Sequence, residues 1–289
     1  MELEKPGSKT NRSLIRGVEI LRCFKPGMGL LGNSEIAERT GLPPSTISRL
    51  TQTLVLSGFL EHDPERQAYR LAPTVLCLGH AFKTGSAEIK LAEPLMRKAS
   101  EKLKLNVGLA VADRLEMVYL ESIRYTKNIA LRTVAAGQRV PLERTSLGRA
   151  WIAKLSPDNR TQLLLELKKQ KIKNWAQIEK EIHEAIESMS EKGYCVANWL
   201  PEISAISTSV QLLNGSYASL NLSTPAESKL NDVLESYSPA LFELKDQIEF
   251  ELNKINDGTF AWCIGCSGGD LQYPGDPQRD PAAGHGQGI

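Results

Sequence analysis

The stretch GLPPSTISRLTQTLVLSGFL, which begins at Gly41, predicts a helix with two unlike faces. Ile47, Leu50 and Leu54 follow the i, i+3, i+7 spacing that places apolar side chains on one side of a helix. The two prolines suit a tight entry and a first helical turn, and Gly58 suits the stop. The opposite side carries one cation among short hydrogen-bonding groups, namely Ser45, Ser48, Arg49, Gln52 and Thr53. Such short side chains would allow the helix to enter a groove, where Arg and Gln can reach base edges.

The residues on either side of this helix extend the pattern. The segment NSEIAERTG, residues 33–41, predicts a short helix capped by Ser34, with Ile36 and Ala37 facing inward and Gly41 ending it. A short helix, a glycine turn and a second helix that begins with hydroxyls form the helix-turn-helix pattern. Residues 59–60 and 69–71 then predict two strands around a polar turn, which is a wing. An ordinary three-helix bundle is the alternative, but it explains neither the wing nor the polar face.

An amphipathic helix over residues 13–24, SLIRGVEILRCF, completes a three-helix unit. We expect its apolar side to consist of Leu14, Val18, Ile20 and Leu21. The surrounding residues 8–25 carry several cations against the single acid Glu19, namely Lys9, Arg12, Arg16, Arg22 and Lys25. This local excess suits phosphate contacts, although a solvated helix face would look similar.

Composition limits the class of protein. The chain has 289 residues, which is enough for two domains, and its apolar fraction of 41% is ordinary for a globular protein. The net charge of +1 argues against a whole-chain polyelectrolyte binder. No apolar run approaches the ~20 residues of a membrane span, and the N-terminus lacks the apolar core of a signal peptide. The five scattered cysteines, an odd number without a framework, indicate a reducing cytoplasm.

The second half of the chain mixes strand and helix patterns. Strands are predicted over residues 106–112, 116–123, 128–134, 194–199, 203–213 and 217–223, with a tight turn at Asn214-Gly215 joining the last two. Helices are predicted over 74–84, 94–104, from Thr145 or Ser146, over 157–169, over 175–192 with Asn174 as cap, and over 227–253. The fold class is therefore α+β, with a DNA-reading domain at 12–72, a linker helix at 73–92 and a second domain at 93–256.

The last 31 residues, 259–289, differ in composition. They contain seven glycines, three prolines and no lysine, so they are predicted to be a disordered or non-native tail. Cys263 and Cys266 form one CxxC within it. A metal or redox site is the less supported interpretation, because neither a second pair nor a nearby histidine accompanies it.

The chain resembles the IclR family of bacterial transcriptional regulators over about residues 12–255. The motifs that carry the resemblance are SLIRGVEILRCF, SEIAERTGLPPSTISRLTQTLVLSGFL and YRLAPTVLCLG in the first part, and VPLERTSLGRAWIAKL, GYCVANWLPEISAISTSV and YASLNLST in the second. The family resemblance implies a winged helix-turn-helix, a linker helix and a GAF-like domain that binds small organic effectors. It also implies a homodimer or homotetramer.

The resemblance also implies roles for particular residues. Pro44–Ser57 corresponds to the recognition helix, and Arg66 to a wing residue that could reach the DNA backbone or minor groove. With Arg12 from the basic run, the expected DNA contacts are Arg12, Ser45, Thr46, Ser48, Arg49, Gln52 and Arg66. The expected effector site comprises Thr145, Ser146, Leu147, Gly148, Trp199, Ile203, Ala205 and Asn221. Trp199 departs from the acidic residues common in the family, which argues against an effector taken from members that bind very small carboxylates.

An enzyme is the less supported class. None of the four histidines has metal-ligand spacing to another, and no nucleophile elbow, P-loop or dinucleotide glycine motif occurs. Ser146 has no evident base, and a helix cap is its simpler role. No cofactor and no metal is expected.

The sequence thus predicts a cytoplasmic regulator that binds double-stranded operator DNA and responds to a small organic effector, such as an aromatic or other organic acid of a catabolic pathway. The alternative is a small-molecule sensor that acts mainly through protein partners.

Overall fold

The computed structural model describes residues 10–125, 135–200, 203–225 and 235–256. The first element of the described part is helix α1, Arg12–Arg22, whose N-cap Asn11 accepts hydrogen bonds from the amides of Ser13 and Leu14. Helix α2, Asn33–Thr40, and helix α3, Pro44–Leu56, follow. The predicted three-helix unit is therefore present, with a core of apolar residues from all three helices: Ile20, Ile36, Ile47 and Leu50.

The predicted inner face of α1 is wrong at two positions. Ile20 is buried and Leu21 packs beside it, but Leu14 is 66% exposed and Val18 is 42% exposed. The helix instead turns Gly17 and Ile20 inward. At about 100° per residue, Leu14 and Val18 lie about 120° and about 160° away from Ile20 around the helix. An apolar stripe of α1 is left on the surface.

The turn between α2 and α3 has the backbone that the sequence requires. Gly41 adopts the left-handed conformation, with φ 66°, and ends α2 as predicted. The cap of α2 is Gly32 rather than the predicted Ser34, because the helix begins at Asn33, two residues before the start that a cap at Ser34 implies. The side chain of Glu35 accepts a hydrogen bond from the amide of Gly32 at 2.9 Å, which is the half of a capping box that needs no side chain at the cap.

The predicted wing is an antiparallel pair. Strand β2, Leu60–Asp63, pairs with strand β3, Ala68–Leu71. A two-residue strand, β1 (Leu31–Gly32), adds to the outer edge of β3 and was not expected.

Two helices connect the winged unit to the rest of the chain. Helix α4, Thr74–Gly85, agrees with the prediction, but α5 runs over Ala87–Leu103 and begins earlier than predicted. Pro94 lies inside α5 and does not open it. The buried residues Ile89, Ala92, Met96 and Ser100 continue one face across the proline. Burying an Ile and a Met at about 1.5–3 kcal/mol each offsets the ~3 kcal/mol that an interior proline costs.

The second half forms a six-stranded antiparallel sheet. The strand order is β6-β5-β4-β9-β8-β7. The strands are β4 (Asn106–Asp113), β5 (Glu116–Ile123), β6 (Arg139–Pro141), β7 (Cys195–Leu200), β8 (Ile203–Gln211) and β9 (Tyr217–Pro225). The turn at Asn214-Gly215 joins β8 to β9, as predicted, with Gly215 at φ 78°.

Helices cover both faces of this sheet. Besides α5, they are α6 (Ser146–Ala153), α7 (Pro157–Lys169), α8 (Trp175–Glu191) and α9 (Ser238–Asn256). The closing helix was predicted over residues 227–253, of which 227–234 lie outside the described residues, and a turn at Ser236 and Tyr237 precedes α9. Helices α5 and α9 pack on one face, around Leu109, Leu220 and Leu222. Helices α6 and α8 pack on the other, around Met117 and Ile182.

This arrangement confirms the predicted α+β class, with an N-terminal winged helix-turn-helix and a C-terminal mixed domain. The strand predicted over residues 128–134 and the tail from 259, with its CxxC, lie outside the described residues. Within the described part of the chain, no helix is both long enough and apolar enough to cross a membrane.

Candidate DNA-binding face and ligand pocket

Helix α3 presents the polar face that the sequence predicted. Ile47, Leu50 and Thr51 are buried against α1 and α2. The opposite side is open to solvent at Ser45, Ser48, Arg49, Gln52 and Thr53, whereas Thr46 is half-buried. Arg49 lies at the centre of this exposed face. The helix therefore presents a cation, an amide and several hydroxyls to solvent.

The rest of the N-terminal unit holds this face in place. Asn33, at the start of α2, donates from Nδ2 to Ser48 Oγ at 3.4 Å and links the two helices. The buried Thr51 hydroxyl donates to the carbonyl of Ile47 within α3. Of these two bonds, the one from Asn33 fixes the exposed face of α3 relative to α2.

The wing carries Arg66 at its tip. Its amide donates to Asp63 Oδ1 at 3.0 Å, and Gln67 adopts a positive φ of 50°. The Arg66 side chain is 71% exposed, so its weak ion pair with Asp63 at 3.5 Å leaves it free to move. Arg12 is exposed in the first turn of α1. Two other cations of the basic run are engaged elsewhere, since Arg22 and Lys25 form ion pairs with the second domain.

A cleft with an open mouth lies between the sheet and the start of α6. Seven of the eight predicted effector residues line it: Thr145, Ser146, Leu147, Trp199, Ile203, Ala205 and Asn221. Gly148 does not line the cleft. A side chain there would overlap the backbone of Leu142, so Gly148 allows α6 to pack closely against the preceding segment.

The first turn of α6 forms one wall of the pocket. Thr145 is the N-cap, and its hydroxyl accepts from the amide of Gly148 at 3.2 Å, so Ser146 is not the cap. The Ser146 hydroxyl instead accepts a hydrogen bond from Ser207 on β8 at 2.7 Å. Its own proton can then be donated into the pocket. The first amides of a helix lack intrahelical acceptors and attract anions, and those of Ser146 and Leu147 lie at this wall.

The opposite wall contains a buried phenol and a buried amide. A side-chain hydrogen bond joins Tyr119 on β5 to Asn221 on β9. Burial raises the pKa of Tyr119 to about 12, so its hydroxyl stays protonated at neutral pH and can donate. Gly108 lies between the two, and a Cβ there would come within 2.5 Å of both side chains. The pocket therefore depends on a glycine at position 108.

Sequence reasoning missed several lining residues, above all Arg124. The pairing of β4 with β5 shifts register between Leu109 and Ala110, which leaves Leu120 without an opposite residue. A bulge of this kind changes the face that later side chains take. Tyr119, Ser122 and Arg124 line the pocket as a result, and Ile123 joins the opposite core. No local signal in the sequence marks this bulge.

Two further contacts stabilise the pocket wall. The largely buried Arg149 of α6 donates from Nε to the carbonyl of Glu143 at 3.1 Å and pairs with Glu181 on α8. Cys195 lies behind the wall, with Sγ 3.4 Å from the carbonyl oxygen of Ser146. Burial raises the pKa of this thiol to about 12, so it is unreactive at neutral pH.

The described residues contain no group of three or more His, Cys, Asp or Glu side chains placed to hold a metal ion. The pocket instead combines apolar walls with hydroxyls, an amide and one cation. This chemistry suits binding of an organic molecule rather than metal-assisted hydrolysis.

Comparison with known proteins defines the class. The family model for the IclR helix-turn-helix domain matches residues 13–64, and the model for the bacterial transcriptional regulator IclR C-terminal domain matches residues 84–249. The HTH-type transcriptional regulator TsaQ1/TsaQ2 of Comamonas testosteroni is 35% identical over 198 residues, which are 68% of this chain and 70% of that protein.

Solved structures agree with the sequence matches. An IclR family transcriptional regulator from Brucella abortus superposes with a TM-score of 0.78 at 32% identity, covering 86% of this chain and 95% of that one. An IclR homologue from Microbacterium hydrocarbonoxydans, solved with 4-hydroxybenzoate, shares the fold with a TM-score of 0.62 at 22% identity, covering 83% and 99%.

The two family models and the regulator that is 35% identical to this chain identify a DNA-binding transcriptional regulator rather than an enzyme. The chain belongs to the IclR family.

Proposed function

We propose that α3 reads operator DNA and that an organic acid in the pocket changes the affinity of this binding. The observation that carries the proposal is the exposed polar face of α3, built on a buried apolar face in a winged unit. A helix of this kind can lie in the major groove with its first turns at the base edges. We expect the protein to act in the cytoplasm, where its DNA is.

The predicted contacts divide into two groups. Arg49 and Gln52 have side chains that can make paired hydrogen bonds to guanine and adenine respectively, so they are proposed to read bases. Ser45, Thr46 and Ser48 are short and near the start of α3, and are proposed to contact base edges or phosphates. Arg12 and Arg66 are exposed cations beside this face and are proposed to contact the DNA backbone.

A homodimer or homotetramer is proposed for the active form. Its support is apolar surface on two helices of the N-terminal half. Leu14, Ile15 and Val18 of α1 and Leu76, Leu78 and Phe82 of α4 are all between 42% and 77% exposed. Helix α4 has no buried residue at all, which is unusual for a helix with so many apolar side chains. A two-fold dimer would place its α3 helices in major grooves about 34–36 Å apart, or a multiple of that spacing.

The pocket is proposed to take an aromatic or other organic acid. The amides at the start of α6 and the side chain of Arg124 can bind a carboxylate. Trp199, Leu147 and Val140 provide apolar contact, and Tyr119 with Asn221 can bind a further polar group. The compound seen in the Microbacterium homologue, 4-hydroxybenzoate, is a suitable first probe of this class.

The alternative is a sensor that acts mainly through protein partners. The two functions differ in their need for the polar face of α3, which the alternative leaves without a role. Footprinting of the intergenic DNA upstream of the gene, with and without a panel of organic acids, separates them. A salt-sensitive and sequence-specific footprint that one acid alters supports the proposal. Protection no stronger than on random DNA would favour the sensor.

A further inference from the structure

A cluster of charges joins the winged unit to the tip of the β4–β5 hairpin. On the α1 side lie Glu19, Arg22 and Lys25. On the hairpin side lie Asp113, Arg114 and Glu116, and we name these six residues together with Arg139 the hairpin latch. Lys25 Nζ lies 2.9 Å from Glu116 Oε1, and Arg114 Nη1 lies 2.7 Å from Glu19 Oε2 with a second bond beside it. Arg22 pairs with Asp113. Three ion pairs therefore cross between the two parts of the chain.

Arg139 connects this latch to the pocket. It pairs with Asp113 and, through Nη1, with Glu116 Oε2 at 3.1 Å, so it contacts both acids that hold α1. Its neighbour Val140 lines the pocket on the same short strand, β6. Strand β6 pairs with β5 in the register Val118↔Arg139, next to the hairpin tip. A movement of Val140 against a bound molecule would therefore move the guanidinium that organises the latch.

A second link runs from strand β5 to α4. Lys83 Nζ lies 2.6 Å from Glu121 Oε2, and the Glu121 side chain is only 7% exposed. The hydrogen bond with Glu121 raises the pKa of Lys83, so this ammonium group stays charged at neutral pH. Ser122, the next residue, lines the pocket. Strand β5 thus contacts α4 through Glu121, beside the pocket residue Ser122, and contacts the segment after α1 through Glu116.

We propose that Arg139 is a positioning residue through which occupancy of the pocket loosens the hairpin latch and so changes how the winged unit is held. The proposal rests on the proposed effector function and deepens it, because it names the route of coupling. A ligand can shift such an equilibrium only if it interacts differently with the two states. Exposed ion pairs are individually weak, so a cluster of them suits a contact that a small molecule can open.

The first test uses zero-length carbodiimide cross-linking of the full chain, read by mass spectrometry of the Lys25–Glu116 product. It needs neither operator nor effector, so its failure is distinguishable from failure of the proposed function. Glu19→Arg and Arg114→Glu should each lower the yield by about fivefold or more, at the low end of ordinary coupling between sites. Both variants leave the cross-linked residues intact. The double variant, Glu19→Arg with Arg114→Glu, should restore the yield because the pair is re-formed with reversed charges.

The control is Lys180→Glu, which disrupts an exposed ion pair with Glu184 on α8. It should leave the yield unchanged. If a reversal fails to fold by circular dichroism, Arg114→Gln removes the same pair without a new charge clash. Unchanged yields in folded single variants, or no recovery in the double variant, would overturn the latch.

The second test asks whether filling the pocket changes the yield of the Lys25–Glu116 cross-link. Ile203→Trp, at a half-buried pocket position, should fill part of the cleft and lower the Lys25–Glu116 yield. In an Arg139→Gln background the same substitution should have no further effect, because the connection is already cut. Ala205→Phe serves if Ile203→Trp does not fold. A yield unaffected by pocket filling, or equal effects in both backgrounds, would contradict the role of Arg139.

Discussion

Arg49 is the only cation on the exposed face of α3, between Ser45 and Gln52. Arg49→Ala is expected to cost about 1–3 kcal/mol of operator binding and to flatten the preference at one base pair. A competition assay with specific and random DNA measures both effects. Arg16→Ala, on α1, is the matched control. It should weaken binding to specific and to random DNA by the same factor, or leave both unchanged. Equal loss on specific and random DNA for Arg49→Ala would make it a phosphate contact.

Gly148 tests the packing of the pocket wall. A Cβ at this position would overlap the carbonyl of Leu142, whereas Gly79 in α4 has nothing within 4 Å. Gly148→Ala is therefore expected to destabilise the fold by about 1–3 kcal/mol, as overpacked sites do. Gly79→Ala should be neutral or stabilising by up to about 1 kcal/mol, because it only removes backbone freedom in a helix. Urea denaturation compares the two, and equal stabilities would refute the close approach.

Single residues were predictable from the sequence where one helix decides their position. The exposed face of α3 follows from the spacing of Ile47 and Leu50, and the structure places it as expected. Arg124 and Gly108 could not be found in this way. Their place in the pocket depends on the register shift near Leu120 and on the approach of β9 to β4, which are tertiary features.

At the scale of elements, the wing, α3, α6 and the β8–β9 hairpin were predicted. Glycine turns or helix-start residues mark α3, α6 and the hairpin, whereas the wing follows from two short strand patterns around a polar turn. The apolar side of α1 and the start of α5 were not. Periodicity identifies an apolar stripe but does not say whether the chain itself covers it, and Leu14 and Val18 lie on the uncovered part. Likewise, Pro94 led to a predicted helix start, because proline is common in the first turn of a helix. The buried face of α5, which continues on both sides of Pro94, is visible only in the structure.

The contact between α1 and the hairpin should weaken in acid. The hydrogen bond from Arg114 holds the pKa of Glu19 below its ordinary value of 4.5. Burial raises the pKa of Asp113, but the bonds from Arg22 and Arg139 outweigh it and hold that pKa below 3.8. Because the folded pKa values are lowered, this stabilisation is present above the ordinary values and is lost as the pH falls through the folded ones.

Glu19→Gln measures this dependence. Wild type should be more stable than the variant at pH 7, by about 0.2–1 kcal/mol for such an exposed pair, and the difference should shrink below about pH 4. Thermal unfolding across pH 3–7 provides the comparison. Glu184→Gln, which removes a pair within α8, is the control for acid effects elsewhere. A difference as large at pH 3 as at pH 7 would contradict the role of the carboxylate charge.

At the scale of the whole molecule, the apolar surface of α1 and α4 is expected to join two copies of the chain. Leu78→Glu with Phe82→Glu places charges on one face of α4, where both side chains are more than half exposed. Light scattering should show a mass that falls toward the 31.9 kDa monomer. Leu165→Glu, at an equally exposed position on α7, should leave the mass unchanged. An unaltered oligomer in the α4 variant would place the interface elsewhere.

The central claim is that one small molecule in the pocket controls the binding of DNA by a distant helix. Fluorescence anisotropy of a footprinted operator fragment tests it, with wild type and Ala205→Trp titrated with the organic acid that alters the footprint. Ala205 lines the pocket and is far along the chain from α3, so a Trp there should block the ligand and spare the DNA face. The account predicts that only wild type changes its operator affinity as the acid is added, whereas Ala205→Trp, whose pocket is already filled, keeps one affinity at every acid concentration. A variant that still responds at the wild-type concentration would contradict it.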